Sequence, residues 1–256
     1  MKDGEEYNVR AVERALQILN CFDDDHPERG VSEIAEAVGL HKATTHRILT
    51  TLLKYGFIER STNGSQYKLG MQCLDLGSKV LRRINLRREA LPLIRQLSES
   101  IDETVDLSIM DQNMVLCVEM IPSSHTLTIA ATVGKKLPAY CTAGGKLFLA
   151  HFTPDRLEEY LLEPRHQYTA HTNTNPEGLR NELNKVLSTG YAFDEQEMEL
   201  GVRAVAAPIF DQQKKMVGSL SIPGPVSRLT NEHMAEIIPV LLQTTREISR
   251  RLGYPG

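Results

Sequence analysis

The stretch from Val31 to Leu49 constrains the fold more than any other part of the chain, because it spells a helix, a glycine-broken turn and a second helix. Ile34, Ala35 and Val38 recur at helical spacing, Ser32 is the candidate N-cap, and Gly39 ends the run. After the turn an apolar stripe passes through Thr45, Ile48, Leu49 and Leu52. That leaves Lys42, Thr44, His46, Arg47, Thr51 and Lys54 on the other faces, a short cationic surface suited to a major groove about 12 Å wide.

The residues that follow narrow this to a winged helix-turn-helix. Phe57 to Arg60 and Gln66 to Leu69 read as two short strands joined through Ser61 to Ser65, where Asn63-Gly64 tolerates the positive φ of a type I′ turn. Upstream, Val9, Val12, Ala15, Leu16 and Leu19 form a stripe for a first helix over 8–22. The bland alternative is a helical bundle carrying a surface hairpin.

Charge is distributed accordingly. Gly39 to Ala90 holds ten Lys plus Arg against three acids, a local +7, so the rest of the chain carries −11 of the total −4. A nucleic-acid-binding end joined to an acidic regulatory end shows such asymmetry. With 256 residues and 41% hydrophobic content, the chain can build a small and a medium core. Met1 to Glu6 is acidic with no apolar run behind it, and no stretch approaches the roughly 18 apolar residues of a spanning helix, so a cytoplasmic, nucleoid-associated protein is expected without membrane contact. Cys21, Cys73, Cys117 and Cys141 form no C-x-x-C pair and read as buried thiols; His125, Cys141, His151, His166 and His171 lack ligand spacing, so no metal is expected.

Residues 71–88 read as a linker helix, with Leu74, Leu81 and Ile84 on one side and Lys79, Arg82, Arg83, Arg87 and Arg88 around the others. The apolar side suits a dimer contact and the arginines suit phosphates; a solvated spacer is the alternative. Beyond it the period changes. A helix over 87–101 precedes strands at 104–110, 114–121 and 127–131. Helices at Ala143–His151, after Thr153-Pro154 and after Asn175-Pro176 come next, then strands at 191–193, 202–210 and 216–222 and a final helix capped by Thr230. This is an α+β domain with a mainly antiparallel sheet, able to hold something small in a concave face. The best local candidate for the holding site is Tyr140 to Lys146, where small residues at a helix start leave backbone N–H groups open to an anion.

Taken in order, Val12–Leu19, Ser32–Ala35, Lys42–Arg47, Tyr67–Gly70, Leu137-Pro138, Thr142–Lys146, Gly190–Ala192, Gly201–Ile209 and Gly224–Leu229 resemble the IclR family of bacterial transcriptional regulators over nearly the whole chain. The resemblance implies a winged helix-turn-helix domain at 1–70, a linker helix at 71–88 and a GAF-like effector-binding domain at 89–256. It implies homodimers that pair into tetramers on a double-stranded DNA operator, and a small-molecule effector, an organic acid or aromatic compound, with no cofactor. The DNA-contact set becomes Ser32, His41, Lys42, Thr44, Thr45, His46, Arg47, Arg60, Tyr67 and Lys68. By position the family's effector pocket is lined here by Leu127, Ile129, Leu137, Ala143, Gly144, Asp194, Ala204, Ser221 and Pro223. Ala204 stands where a cysteine is common, and Pro223 where a second serine would hold a ligand carboxylate. No catalytic residue is expected. Two other readings compete: a GAF-like redox enzyme with Cys141 as nucleophile and His151 as base, and a DNA-binding protein whose second domain only oligomerises.

Overall fold

The computed structural model describes residues 9–62, 64–129 and 132–256, so Met1 to Glu6, Asn63 of the expected turn and Ala130-Ala131 of the expected third strand lie outside the described residues, as do the side chains of Arg82 and Arg83. The chain divides into two compact units, Met1–Arg83 and Ile84–Gly256.

In the first unit α1 (Arg10–Asn20), α2 (Val31–Ala37) and α3 (Lys42–Lys54) enclose a core of Ile18, Phe22, Ile34, Leu49, Leu52, Ile58 and Tyr67. Gly39, at φ +64°, ends α2: its N–H donates to Glu36 O and Leu40 N–H to Ala35 O, closing the last turn with two reversed bonds. Ser32 is not the N-cap. Gly30 holds that place, its N–H donating to Glu33 Oε2 at 2.6 Å, and Ser32 is exposed inside the first turn. The wing is three-stranded, because β1 (Arg29–Gly30) joins β2 (Ile58–Arg60) and β3 (Gln66–Leu69) in the order β1-β3-β2. The expected stripe on α1 is met in part: Ala15 and Leu19 pack against this core beside the buried Ile18, while Val9 ahead of the helix and Val12 and Leu16 on it are exposed.

The linker region breaks earlier than the sequence reading placed it. α4 runs Met71–Arg83, Ile84 adopts extended backbone, and α5 runs Asn85–Ile101. The second unit is the expected α+β fold, a six-stranded antiparallel sheet among the described residues, ordered β6-β5-β4-β9-β8-β7. Its strands are β4 (Val105–Asp111), β5 (Met114–Ile121), β6 (Lys136–Pro138), β7 (Ala192–Glu195), β8 (Val202–Phe210) and β9 (Met216–Pro225). Leu127–Ile129 form no strand; they are irregular chain, and the third strand is β6 instead. α5 and α9 (Asn231–Arg251) pack on one face and α6 (Ala143–Ala150) on the other, backed by α7 (Pro154–Leu162) and α8 (Pro176–Thr189). Asn175 and Thr230 cap α8 and α9 through their side chains, whereas Thr153 occupies the cap position of α7 without a side-chain bond. Cys117 and Cys141 are buried, and Cys21 and Cys73 are half-buried.

Candidate functional site

On the first unit α3 exposes Lys42, His46, Arg47, Thr51 and Lys54, with His41 exposed at its N-cap and Thr44 half-buried. Among the described residues no acidic side chain pairs with Lys42, Arg47 or Lys68, so their charge is open to a polyanion. Two of the expected contacts are internal instead. Thr45 is fully buried, its Oγ1 donating to His41 O at 3.2 Å, because it continues the stripe that packs α3 into the core. Tyr67 is buried as well; it forms the floor of the wing, with the Arg60 guanidinium 5.1 Å above its ring. Arg60 donates to Gly64 O at 2.8 Å and so shapes the wing tip, while Lys68 is half-buried beside it.

The second unit contains a cavity of about 510 Å³, and all nine residues expected to line a pocket lie on it. The sheet register explains why. Asp194, Ala204 and Pro223 pair in one row across β7, β8 and β9, and Asp106 of β4 pairs with Ser221 of β9. α6 closes the space over this face. A Cβ on Gly144 would lie 2.6 Å from Ser219 Oγ, and one on Gly145 2.2 Å from Ala139 O, so the two glycines let the helix sit directly on β9 and on the preceding turn. Thr142 caps α6, accepting from Gly145 N–H at 3.3 Å and donating to Pro138 O at 2.9 Å. The N–H groups of Ala143 and Gly144, free of intrahelical partners at this position, stand at the cavity wall.

The other walls are pinned from behind. Asp194 accepts the Glu197 N–H at 2.7 Å and so fixes the turn carrying Met198 to Gly201 along the cavity. Lys146, fully buried on α6, donates to Glu182 Oε1 at 2.5 Å, to Phe193 O at 2.9 Å and to Glu197 Oε1, which uses all three ammonium protons. Arg228 grips Glu103 with two bonds of 2.6 and 2.8 Å and donates to Leu127 O at 2.9 Å, holding the irregular segment against the cavity mouth. The lining is apolar at Val115, Leu137, Met198, Val202 and Pro225, and Lys135 and Glu199 are exposed at its rim.

The sequence reading missed Asp106, Ser108 and Cys117 on this wall, whereas Thr142 falls in the Tyr140 to Lys146 stretch it offered as the holding site. Burial pushes the Asp106 carboxyl up to about 7, against a bond from Ser108 Oγ at 3.0 Å that favours its charged form. Burial likewise pushes Asp194 up to about 7, opposed by the N–H bond from Glu197. The thiol reading fails on the same physics. Cys141 is fully buried and desolvation pushes its thiol up to about 12, while His151 bonds Leu147 O at 2.8 Å and stacks edge-on against Phe210, so there is no thiolate and no base beside it. Among the described residues no group of three or more His, Cys, Asp or Glu is arranged to hold a metal, and no helix is long and apolar enough to cross a membrane.

Comparison with known proteins matches both units. Residues 11–62 fit the model of the IclR helix-turn-helix domain, and residues 78–250 that of the bacterial transcriptional regulator IclR C-terminal domain. The transcriptional repressor IclR of Escherichia coli K12 is 30% identical over 97% of this chain and 91% of its own, and the regulator XynR of the same strain is 33% identical over 97% and 99%. The crystal structure of Thermotoga maritima IclR is similar with a TM-score of 0.77, at 32% identity over 96% of this chain and 100% of that one. An IclR homologue from Microbacterium hydrocarbonoxydans, crystallised with 4-hydroxybenzoate, gives 0.83 at 26% identity over 94% and 98%. A recognition helix with open cations in one unit, a walled cavity in the other, and two family matches that between them span most of the sequence have one reading: the chain belongs to the IclR family, whose matched relatives are named transcriptional regulators and repressors rather than enzymes, and is a DNA-binding transcriptional regulator.

Proposed function

We propose that a small organic molecule bound in the cavity of the second unit sets the affinity of the first unit for its operator. The cavity carries this reading: its volume suits a small metabolite, its walls are held by buried polar networks, and open N–H groups of α6 lie beside apolar surface. Organic acids and aromatic compounds fit that combination, and 4-hydroxybenzoate in the Microbacterium homologue is a reasonable first probe. No other cofactor is required. Operator binding by a homodimer, itself able to pair into a tetramer, is supported by the apolar surface left exposed at Val9, Val12 and Leu16 on one side and at Met71, Leu74 and Val80 of α4, which water would otherwise cover at a cost. The protein then works in the cytoplasm, on the nucleoid. An effector that prefers one arrangement of the dimer changes operator affinity by the same coupling free energy, typically about 1–3 kcal/mol or 5- to 150-fold.

The test begins with operator duplexes selected from random DNA by the full chain, followed by binding titrations with and without each member of a panel of organic acids. Arg47→Ala is expected to abolish sequence preference, and Lys68→Ala to weaken every sequence and lower the salt slope by about 1. A panel in which no compound binds by calorimetry would leave the second unit as an assembly module only. An Arg47→Ala protein that still selects the same operator would remove α3 as the reading element.

A further inference from the structure

Within the cavity, below its rim, one carboxylate has no structural duty. Asp194 caps a turn, Thr142 caps α6, and Ser221 lies under Gly144. Asp106 does none of these. It is the second residue of β4, its backbone pairs with Met120 and Ser221, and its carboxylate lines the cavity beside Ser221. Among the described residues its one side-chain partner is Ser108, two positions along the same face, and no lysine or arginine neutralises it. The residue is half-buried, enough for desolvation to raise its proton affinity, and its second oxygen borders the open cavity.

A half-buried carboxylate oxygen with no protein donor is left to cavity water, and a ligand that displaces that water must itself supply the donor. A plain monocarboxylate cannot do so when ionised. Its own negative charge would then sit beside that of Asp106, in a space where, among the described lining residues, the one cation, Lys135, is at the exposed rim. A hydroxyl resolves the conflict: it donates to Asp106 and accepts from Ser221, since Ser108 already spends its one proton on Asp106, while an acid group on the same molecule meets the Ala143 and Gly144 N–H groups away from Asp106. An ammonium group would also satisfy Asp106, but it would be placed in the same small cavity as the positive end of α6. We infer that Asp106 is a specificity-determining residue that selects a hydroxylated acid as effector by accepting a hydrogen bond from its hydroxyl. This rests on the effector reading of the cavity given above.

The experiment is calorimetry with the full chain on three matched pairs: 4-hydroxybenzoate and benzoate, 3-hydroxypropanoate and propanoate, gluconate and hexanoate. A hydrogen bond to a charged acceptor gives the hydroxylated member of any pair that fits an advantage of about tenfold. That advantage disappears in Asp106→Ala. If Asp106→Ala does not fold, as judged by its circular dichroism, Asp106→Asn carries the test, because the amide keeps the shape, loses the charge and is expected to lose most of the preference. Equal binding within every pair that binds, or a preference that survives in the variant, overturns the assignment, and so does tighter binding of 4-(aminomethyl)benzoate than of 4-hydroxybenzoate. Binding by no member of any pair removes the effector reading itself, an outcome distinct from binding without preference.

Discussion

Replacing Lys146 by methionine tests whether the buried ion cluster is what fixes the cavity's far wall. The side chain is fully buried and all three of its protons are used, on Glu182, Glu197 and the Phe193 carbonyl. Methionine fills the space but donates nothing. Glu197, only 6% exposed and already carrying one unpartnered oxygen, then has a charge with no counterion. Glu182, 30% exposed, can turn part of its charge toward water. Removing one member of a buried pair costs about 3–5 kcal/mol, and the partial exposure of Glu182 places this case near 3. For a unit of this size that is a fall in melting temperature of about 10 °C. The sign of the pH dependence follows from Glu197. Burial raises its proton affinity and Lys146 opposes that, so without the ammonium the carboxyl is raised further. The variant's deficit is therefore largest at pH 8, where Glu197 must be buried charged or take up a proton, and shrinks toward pH 5, where it is protonated at less cost. The chain has no tryptophan, so urea unfolding is best followed by circular dichroism, and Lys146→Met with Glu197→Gln should recover part of the loss. A deficit below about 1 kcal/mol that is equal at pH 5 and pH 8 would refute the argument.

Asp106→Asn makes a second pH prediction. The folded carboxyl titrates at about 7 against 3.8 in the unfolded chain, so the stability it contributes is complete below about pH 4 and is lost as pH rises through 7. Three units at about 1.36 kcal/mol each set a ceiling of about 4 kcal/mol, and cavity water lowers it, so the variant should gain about 1–3 kcal/mol at pH 8 and little at pH 5; a gain equal at both would contradict it. Gly145→Ala places a methyl 2.2 Å from Ala139 O, a rigid backbone atom, and should cost about 3 kcal/mol or more in urea unfolding. Gly77→Ala in α4 meets nothing within 4 Å and should stabilise its helix by about 0.5–1 kcal/mol, so a loss there would indicate a packed neighbour.

What the sequence made legible follows from how local each signal is. Gly39 and Gly56, both at positive φ, end α2 and α3 where the apolar period stops, so the helix-turn-helix could be read without any tertiary information. The pocket positions carried over from the family all reach the cavity, because strand register alone fixes that row. Asp106 was missed for a structural reason. Alternation along Val105-Asp106-Leu107-Ser108 reads as one buried and one wet face, but here Val105 and Leu107 meet the α5 side while Asp106 and Ser108 face the α6 side, so both faces are covered. Leu127–Ile129 looked like a strand because apolar and β-branched residues alternate there; their partner is the Arg228 side chain and not a neighbouring strand, a contact 101 residues distant that no window detects. Thr45 and Tyr67 share the polarity of contact residues, and only the helix and hairpin geometry turns them inward.

All eight residues of α6 are buried, which is unusual for so short a helix. Such an element has no wet side on which to slide and no loose side chain to absorb a push, because packed interiors compress little. Its first turn borders the cavity and its Lys146 holds the turn after β7, so molecular volume taken up at one end is felt as a shift of the whole rod or not at all. That makes α6 closer to a key in a lock than to a spring: on the proposed effector reading, the second unit would answer size and shape in steps, and a ligand a little too large should be refused rather than accommodated.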